Sequence, residues 1–192
     1  MTTILHPTLH LVRHGATEWS ENGRHTSTTE LDLLPAGEEQ ARAVAPILAA
    51  TTFDLVLCSP RARARRTCEL AGLGDRVQID DDLAEWDYGA YEGVTTATIR
   101  ETVPDWTVWH GVCPGGETAA QVADRVDRVI ARVRAQPGAA IAFAHGHVLR
   151  VLAARWIGLG PEAGEHLLLD PATVSVLAWE RDAPAIRRWN AR

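Results

Sequence analysis

The chain has 192 residues, 46% hydrophobic and 23% charged, a composition typical of a globular protein with one buried core. Its formal net charge of −6 argues against general nucleic-acid binding. No apolar stretch reaches the roughly 20 residues of a membrane-spanning helix, and residues 1–10 lack the basic start and apolar centre of a signal peptide. We therefore expect one domain over residues 1–192, located in the cytoplasm, with neither nucleic acid nor a membrane as partner.

The three cysteines, Cys58, Cys68 and Cys113, are odd in number and form no C-x-x-C pair. This pattern disfavours both a disulfide framework and a thiolate zinc site, so we expect reduced cysteines.

Short β-rich runs alternate with longer helical patterns, which predicts an α/β fold. The predicted strands are 9–13, 54–59, 76–79, 139–145, 173–179 and 185–189. The predicted helices are 37–50, 60–71, 95–102, 117–136 and 148–158, of which 117–136 has the clearest apolar face. Because proline lacks an N–H donor, Pro46 is expected to kink or split the first of these helices.

The triplet Arg13-His14-Gly15 stands where the first strand ends and a polar stretch begins. Neutral imidazole is a nucleophile, and a guanidinium offers a planar fork of donors to a phosphate. The glycine allows the backbone to approach a ligand closely. The triplet therefore predicts a nucleophile directed at phosphorus.

The helix after the second strand opens with four arginines in six positions, Arg61, Arg63, Arg65 and Arg66. A helix N-terminus carries free N–H groups and a partial positive charge, so arginines there favour an anion site. Four side chains so close together cannot all face one pocket. We expect Arg61 and Arg65 to lie on a solvated face.

Three carboxyl groups, those of Glu85, Asp87 and Glu92, lie among aromatic residues and glycines. Burial in such a setting favours a protonated carboxyl group that can act as a general acid. The residue pattern does not choose among the three. Asp87 and Glu92 are equally typical of carboxylates that cap backbone N–H groups.

An almost wholly apolar strand ends in His145-Gly146-His147, at the kind of strand end where open α/β sheets bind ligands. His145 and His147 have the spacing of a metal pair. No third ligand stands at suitable spacing, so we expect no metal.

Taken in order, these segments resemble the histidine phosphatase superfamily, the phosphoglycerate-mutase-like proteins. The resemblance runs from Leu11 to about Arg150 and implies a three-layer α/β/α sandwich around a mostly parallel central sheet. The motifs are Arg13-His14-Gly15-x-Thr17-Glu18-Trp19, Gly23-Arg24, Gly37-x-x-Gln40-Ala41, Ser59-Pro60 with Arg63-Ala64-x-x-Thr67, Leu83-x-Glu85 with Gly89 and Glu92-Gly93, Pro114-Gly115-Gly116-Glu117, and His145-Gly146.

The resemblance implies a phosphomonoesterase in which His14 attacks phosphorus and becomes phosphohistidine, while Glu85 protonates the departing alkoxide. Water then hydrolyses the phosphohistidine with the same glutamate as base, and neither metal nor organic cofactor is required. The phosphate-binding residues it implies are Arg13, Ser20, Thr26, Arg63, His145 and Gly146. Ser20 stands where many relatives have asparagine. The implied partner is a small phosphorylated metabolite, and the implied enzyme has either broad specificity or a specificity for sugar phosphates. A homodimer is compatible with the sequence.

A phosphoglycerate mutase is the alternative within the resemblance. That branch usually carries a long insertion with extra basic residues, whereas the stretch from Glu85 to Gly116 is short and has Arg100 as its one cation. Hydrolysis is therefore favoured over transfer. A catalytically silent binding module is disfavoured, because His14, Arg63, Glu85 and His145 are all present.

The turn that begins at Cys58 also suggests a cysteine phosphatase. That chemistry needs an arginine six positions after the cysteine, and Ala64 stands there. Chain-breaking residues flank Trp106 and Trp109, which favours a lid over the site rather than core packing.

Overall fold

The computed structural model describes residues 6–192. Residues 1–5 lie outside the described residues, and they are half of residues 1–10, the segment predicted to lack the features of a signal peptide. Within residues 6–192, six strands form one sheet: β1 (Thr8–Arg13), β2 (Leu55–Cys58), β3 (Gln78–Ile79), β4 (Ala139–Ala144), β5 (Val174–Glu180) and β6 (Ala183–Ala191).

The sheet has the order β3-β2-β4-β1-β5-β6. β1, β2, β3 and β4 pair in parallel, whereas β5 runs antiparallel to β1 and β6 antiparallel to β5. This topology confirms the mostly parallel sheet, and all six predicted strands are present. The third is shorter than predicted, because Gly74–Arg76 forms a 3-10 turn.

The α-helices of the described chain are α1 (Glu18–Asn22), α2 (Pro35–Leu48), α3 (Ala62–Leu70), α4 (Thr96–Arg100), α5 (Ala119–Arg134) and α6 (Gly146–Trp156). Short 3-10 turns also lie at Asp81–Leu83, Gly89–Tyr91 and Pro161–His166. Helix α1 was not predicted, because a single polar turn has no apolar periodicity. No helix of residues 6–192 is long and apolar enough to cross a membrane.

Alternate side chains of the central strands pack on opposite faces of the sheet. Ala140 and Ala142 of β4 join the apolar cluster that includes residues of α5 and α6. Ile141 and Phe143 join the cluster that includes residues of α2 and α3. Because β4 is buried on both faces, its sequence is apolar at nearly every position. The α/β/α sandwich is confirmed.

The expected split at Pro46 is wrong, because α2 continues through it to Leu48. Pro46 lies in the last turn, where its missing N–H removes one helical hydrogen bond and the ring is tolerated near the helix end.

The expected lid of Trp106 and Trp109 is also wrong, since both are buried in the core. The Trp106 indole N–H donates to the carbonyl of Val112 at 3.0 Å. The Trp109 ring meets Trp86 edge to face, with ring centroids 5.9 Å apart. The residues that interrupt regular structure on either side therefore turn the backbone, and the two tryptophan side chains stay in the core.

Two glycines let the loop after β1 touch the start of α2. A Cβ atom on Gly37 would lie 2.2 Å from the carbonyl oxygen of Ala16, and one on Gly15 would lie 2.2 Å from the carbonyl oxygen of Gly37. The Ala16 N–H also donates to the Gln40 side chain at 3.1 Å. The loop after β1 is thus fixed against α2 by backbone contact that no larger residue permits.

We expect Gly37→Ala to lower the free energy of unfolding by about 1–3 kcal/mol, because the new methyl group overpacks a backbone contact. Helix propensity alone would raise the free energy of unfolding by about 1 kcal/mol, because alanine favours a helix more than glycine does. The sign of the measured change therefore separates overpacking from propensity. Urea denaturation measures it. The control is Ala36→Gly in the same turn, where residue 36 is exposed and only propensity changes. A Gly37→Ala variant as stable as the parent protein would contradict the contact.

Candidate active site

A cavity of about 270 Å³ lies beside the carboxyl ends of β1 and β4. His14 follows β1 directly, and Gly146 begins α6 just after β4. Glu85 reaches the cavity from the segment after the Asp81–Leu83 turn. The register pairs Arg13 of β1 with Ala144 of β4, so adjacent parallel strands deliver His14 and His145 side by side. Their ring centroids are 5.2 Å apart.

His14 lines the cavity with one ring nitrogen committed to the backbone. Its Nδ1 lies 2.8 Å from the carbonyl oxygen of Gly15, which can only accept, so Nδ1 carries the hydrogen and Nε2 carries the lone pair. Burial, and then the charges of Arg63 and Arg13, lower the pKa of His14 well below 6.5. The side chain is therefore a neutral imidazole with a defined nucleophilic nitrogen.

Arg13 lies on the same wall of the cavity, at the end of β1. Its Nη1 donates to the carbonyl of Leu169 at 2.5 Å, while its buried Nε has no partner among the described residues. A Cβ on Gly146 would stand 3.5 Å from the Arg13 Cζ and Nε atoms. Burial lowers the pKa of Arg13 from 12.5, and the charge of Glu85 opposes that shift. Arg13 thus keeps unused donor capacity beside the nucleophile.

Arg63 is almost wholly buried, with 1% of its surface exposed. It donates to the carbonyls of Thr26, Ser27 and Thr29 at 3.0–3.1 Å. Its Nε donates to Nδ1 of His145 at 3.2 Å. Four of its five N–H donors therefore point at protein acceptors, and its charge lies behind His14 rather than on the cavity wall.

His145 is also fully buried, and both of its ring nitrogens have protein partners. Because Arg63 donates to Nδ1, the hydrogen of the neutral ring lies on Nε2 and is donated to the Ser59 hydroxyl at 2.7 Å. Burial, and then the charge of Arg63, lower the pKa of His145 well below 6.5. In this arrangement neither His145 nor Arg63 lines the cavity, so their binding of phosphoryl oxygens stays a prediction.

The carboxylate of Glu85 lies at the N-terminus of α6 and is 5% exposed. Its Oε1 accepts the N–H groups of Trp86 at 2.9 Å and Val148 at 2.8 Å. Its Oε2 accepts the N–H of His147 at 3.0 Å, its one donor among the described residues. These donors and the helix dipole offset the cost of burying a negative charge. Oε2 is the oxygen with a lone pair left for a proton.

The other two carboxylates of that segment cap backbone groups. Glu92 accepts the N–H groups of Ser27 and Thr29 at 2.9–3.0 Å, and Asp87 accepts that of Gly89 at 2.9 Å. Glu85 is thus the one of the three that lines the cavity. The residue pattern left the three open and the family resemblance implied Glu85, which is the one that the structure brings to the cavity.

Ser20 and Thr26 both line the cavity, but each hydroxyl already has a local partner. Ser20 closes a capping box with Thr17 at the start of α1, donating to its carbonyl at 2.9 Å. The Thr26 hydroxyl donates to the carbonyl of Arg24 at 3.3 Å. Their phosphate-binding role stays a prediction.

The solvated face expected for the arginines of α3 is only partly observed. Arg65 is exposed, as predicted. Arg61 is half-buried and pairs with the Glu30 carboxylate at 3.4 Å, which also accepts the N–H of Ala62. Within residues 6–192, no three His, Cys, Asp or Glu side chains come together as a metal site.

Several cavity residues were missed by sequence reasoning: Arg24, His25, Tyr88, His147 and Arg150. The guanidinium of Arg150 lies over the Trp109 ring, 4.6 Å from its centroid, and donates to the carbonyls of Gly164 and Glu165. Arg24 carried a signal, because it belongs to the Gly23-Arg24 motif. Tyr88 also carried one, because it is among the aromatic residues near Glu85 that could line the mouth of the site, whereas His25 had none, since only tertiary packing brings it to the cavity.

Comparison with known proteins agrees with this geometry. A family model described as the histidine phosphatase superfamily (branch 1) matches residues 9–192. An acid phosphatase of Mycobacterium tuberculosis is 41% identical over 174 residues, 88% of this chain and 85% of that protein. A sedoheptulose 1,7-bisphosphatase of Saccharomyces cerevisiae is 38% identical over 188 residues, 81% of this chain and 69% of that protein.

A solved structure of an open reading frame from Mycobacterium tuberculosis superimposes on this fold with a TM-score of 0.90. The two chains are 38% identical, and the match covers 96% of this chain and 97% of the other. The family model spans almost the whole sequence, and the motif residues Arg13, His14, Arg24, Glu85 and Gly146 line one cavity. The chain therefore belongs to the histidine phosphatase superfamily, as its motifs predicted, and the family model places it in branch 1.

Proposed function

We propose that the cavity hydrolyses phosphomonoesters of small metabolites in the cytoplasm through a phosphohistidine on His14. The observation that carries the proposal is the state of His14: neutral, with Nδ1–H held by the Gly15 carbonyl and Nε2 free. An imidazole with its lone pair on one defined nitrogen is prepared to attack phosphorus in line with the departing oxygen. Because its pKa lies well below 6.5, the nucleophile persists in mildly acidic solution.

Positive charge around the phosphoryl group comes from Arg13 and Arg63, and the cavity wall carries two further arginines, Arg24 and Arg150. Arg13 lies on the cavity wall with spare donors, while Arg63 adds its charge from behind His14. Phosphoryl transfer depends mainly on alignment and on charge around the equatorial oxygens, which such fixed groups supply without reorganisation. Among residues 6–192, Glu85 is the one carboxylate on the cavity wall, so the cavity favours a dianionic phosphate.

Glu85 moves the proton in both half-reactions. In its acid form, Oε2 gives the proton to the leaving oxygen as the bond to phosphorus breaks. The carboxylate left behind is stabilised by three backbone N–H groups, and it then takes a proton from the water that attacks phosphohistidine. Release of phosphate returns His14 to its neutral state.

Hydrolysis rather than transfer to a second substrate is supported by the short segment between Glu85 and Gly116. The relatives from Mycobacterium tuberculosis and Saccharomyces cerevisiae both carry the names of phosphatases. A phosphoglycerate mutase is the competing assignment. Phosphate release from a panel of phosphorylated metabolites, measured in parallel with phosphoglycerate isomerisation, distinguishes the two.

His14→Ala is expected to lower turnover of an aryl phosphate by about 10³-fold or more, because no phosphoenzyme can form. Mass spectrometry of quenched protein should show an acid-labile phosphoryl adduct in the parent chain and none in the variant. His166→Ala is the control, since that side chain is 77% exposed and pairs only with Glu165. Retained turnover in His14→Ala would refute the mechanism.

Glu85→Gln is expected to slow hydrolysis of alkyl phosphates by about 10²–10⁴-fold, because an alkoxide needs a proton to leave. Aryl phosphates should lose much less, since a phenolate departs unprotonated. The measurement is kcat/KM on the two substrate classes. Equal losses on both would assign Glu85 a role other than proton donor.

Chelator treatment is expected to leave activity unchanged, because the histidines with metal-pair spacing are committed elsewhere. His145 bonds to Arg63 and Ser59, and Nδ1 of His147 bonds to Tyr88. Phosphate release before and after dialysis against EDTA measures this. Inactivation that a divalent metal reverses would restore the metal interpretation.

A further inference from the structure

His147 lies on the cavity wall in the first turn of α6, and the mechanism above uses only its backbone N–H. Its side chain has a separate partner: Nδ1 is 2.6 Å from the hydroxyl of Tyr88. The ring is also enclosed by aromatic groups. Trp109 meets it at a centroid distance of 5.2 Å, and His25 at 6.0 Å. The imidazole is therefore held in one orientation.

The Tyr88 contact determines which nitrogen of His147 carries hydrogen. Tyr88 is 2% exposed, and among the described residues its hydroxyl has no other partner. Burial, and then the charge of Glu85, raise the pKa of Tyr88 well above 10, so the phenol keeps its proton and donates it to Nδ1. An imidazole that accepts at Nδ1 carries its hydrogen on Nε2.

The result is an uncharged N–H donor for which the described part of the chain offers no acceptor. Burial, and then the charge of Arg150, lower the pKa of His147 well below 6.5, so the ring is neutral. Nε2 has no hydrogen-bond partner in residues 6–192. It is also not one of the fully buried polar atoms without a partner, which agrees with the position of His147 on the cavity wall. A donor left open to a cavity in this way is suited to a ligand oxygen.

The position of this donor assigns it to the organic part of the substrate. Glu85, the proposed donor to the leaving oxygen, accepts the His147 backbone N–H, and both residues line the cavity, so the two are neighbours on its wall. A neutral donor matches an uncharged oxygen such as a hydroxyl, whereas anionic groups are matched by guanidinium groups.

We propose that Nε2–H of His147 binds a hydroxyl of the leaving alcohol, with Tyr88 as a positioning residue, so that the enzyme prefers polyol phosphates. This proposal rests on the proposed function and names its substrate class. Sugar phosphates and their open-chain analogues are such substrates, because hydroxyls flank the ester oxygen.

The test compares glycerol 3-phosphate with propyl phosphate, two three-carbon esters that differ in their hydroxyls. We expect the parent enzyme to favour glycerol 3-phosphate in kcat/KM. His147→Leu should reduce this preference by about 3–10-fold, the value of one neutral hydrogen bond. His147→Gln should retain much of it, because its amide also places an N–H donor at the end of the side chain. Tyr88→Phe should lose part of it, since the ring stays but the tautomer is no longer fixed.

Tyr91→Phe is the matched control, because Tyr91 is half-buried, is not a cavity residue and makes no side-chain hydrogen bond within residues 6–192. Thermal unfolding of each variant verifies the fold. Equal losses on both esters, or an unchanged preference in His147→Leu, would overturn the proposal and leave phosphatase activity intact. A parent enzyme that releases phosphate from neither ester nor from an aryl phosphate would refute the proposed function as well.

Discussion

The buried guanidinium of Arg63 is the interaction on which the site depends. A charge removed from water must find acceptors, and Arg63 finds them in three carbonyls of the segment from Thr26 to Thr29 and in His145. The same contacts order that segment beside the cavity and place positive charge behind His14. Glu92 binds the N–H groups of the segment, so both sides of its backbone are satisfied.

Parallel strand pairing converts this local order into a catalytic arrangement. β1 and β4 are neighbours and end at the same level, so the residue after each strand meets its counterpart. β2 lies on the other side of β4 and delivers Ser59 to His145. Helix α6 begins directly after β4, and the free N–H groups of its first turn donate hydrogen bonds to the Glu85 carboxylate. The proposed nucleophile His14, the Arg13 guanidinium and the proposed proton donor Glu85 therefore converge on one cavity.

Neutrality of the buried histidines is the second consequence of this packing. Burial, and then the charge of Arg63, lower the pKa of His14 and of His145, and hydrogen bonds then define which nitrogen of each ring carries the hydrogen. His147 reaches the same condition through Tyr88. Each histidine thereby acts as a donor or acceptor of fixed direction, which is a requirement for positioning a substrate rather than merely attracting it.

The sequence by itself determined the strands, the main helices, the family and the residues at the strand ends, because apolar periodicity and ordered motifs are local properties of the chain. Without the family resemblance, the residue pattern did not choose Glu85 over Asp87 and Glu92, and it did not show that Trp106 and Trp109 belong to the core. Those outcomes depend on which backbone N–H groups and side chains meet across distant segments. Only the tertiary structure placed His147 against Tyr88 and Arg63 behind His14, since tautomer, burial and charge are properties of the assembled neighbourhood.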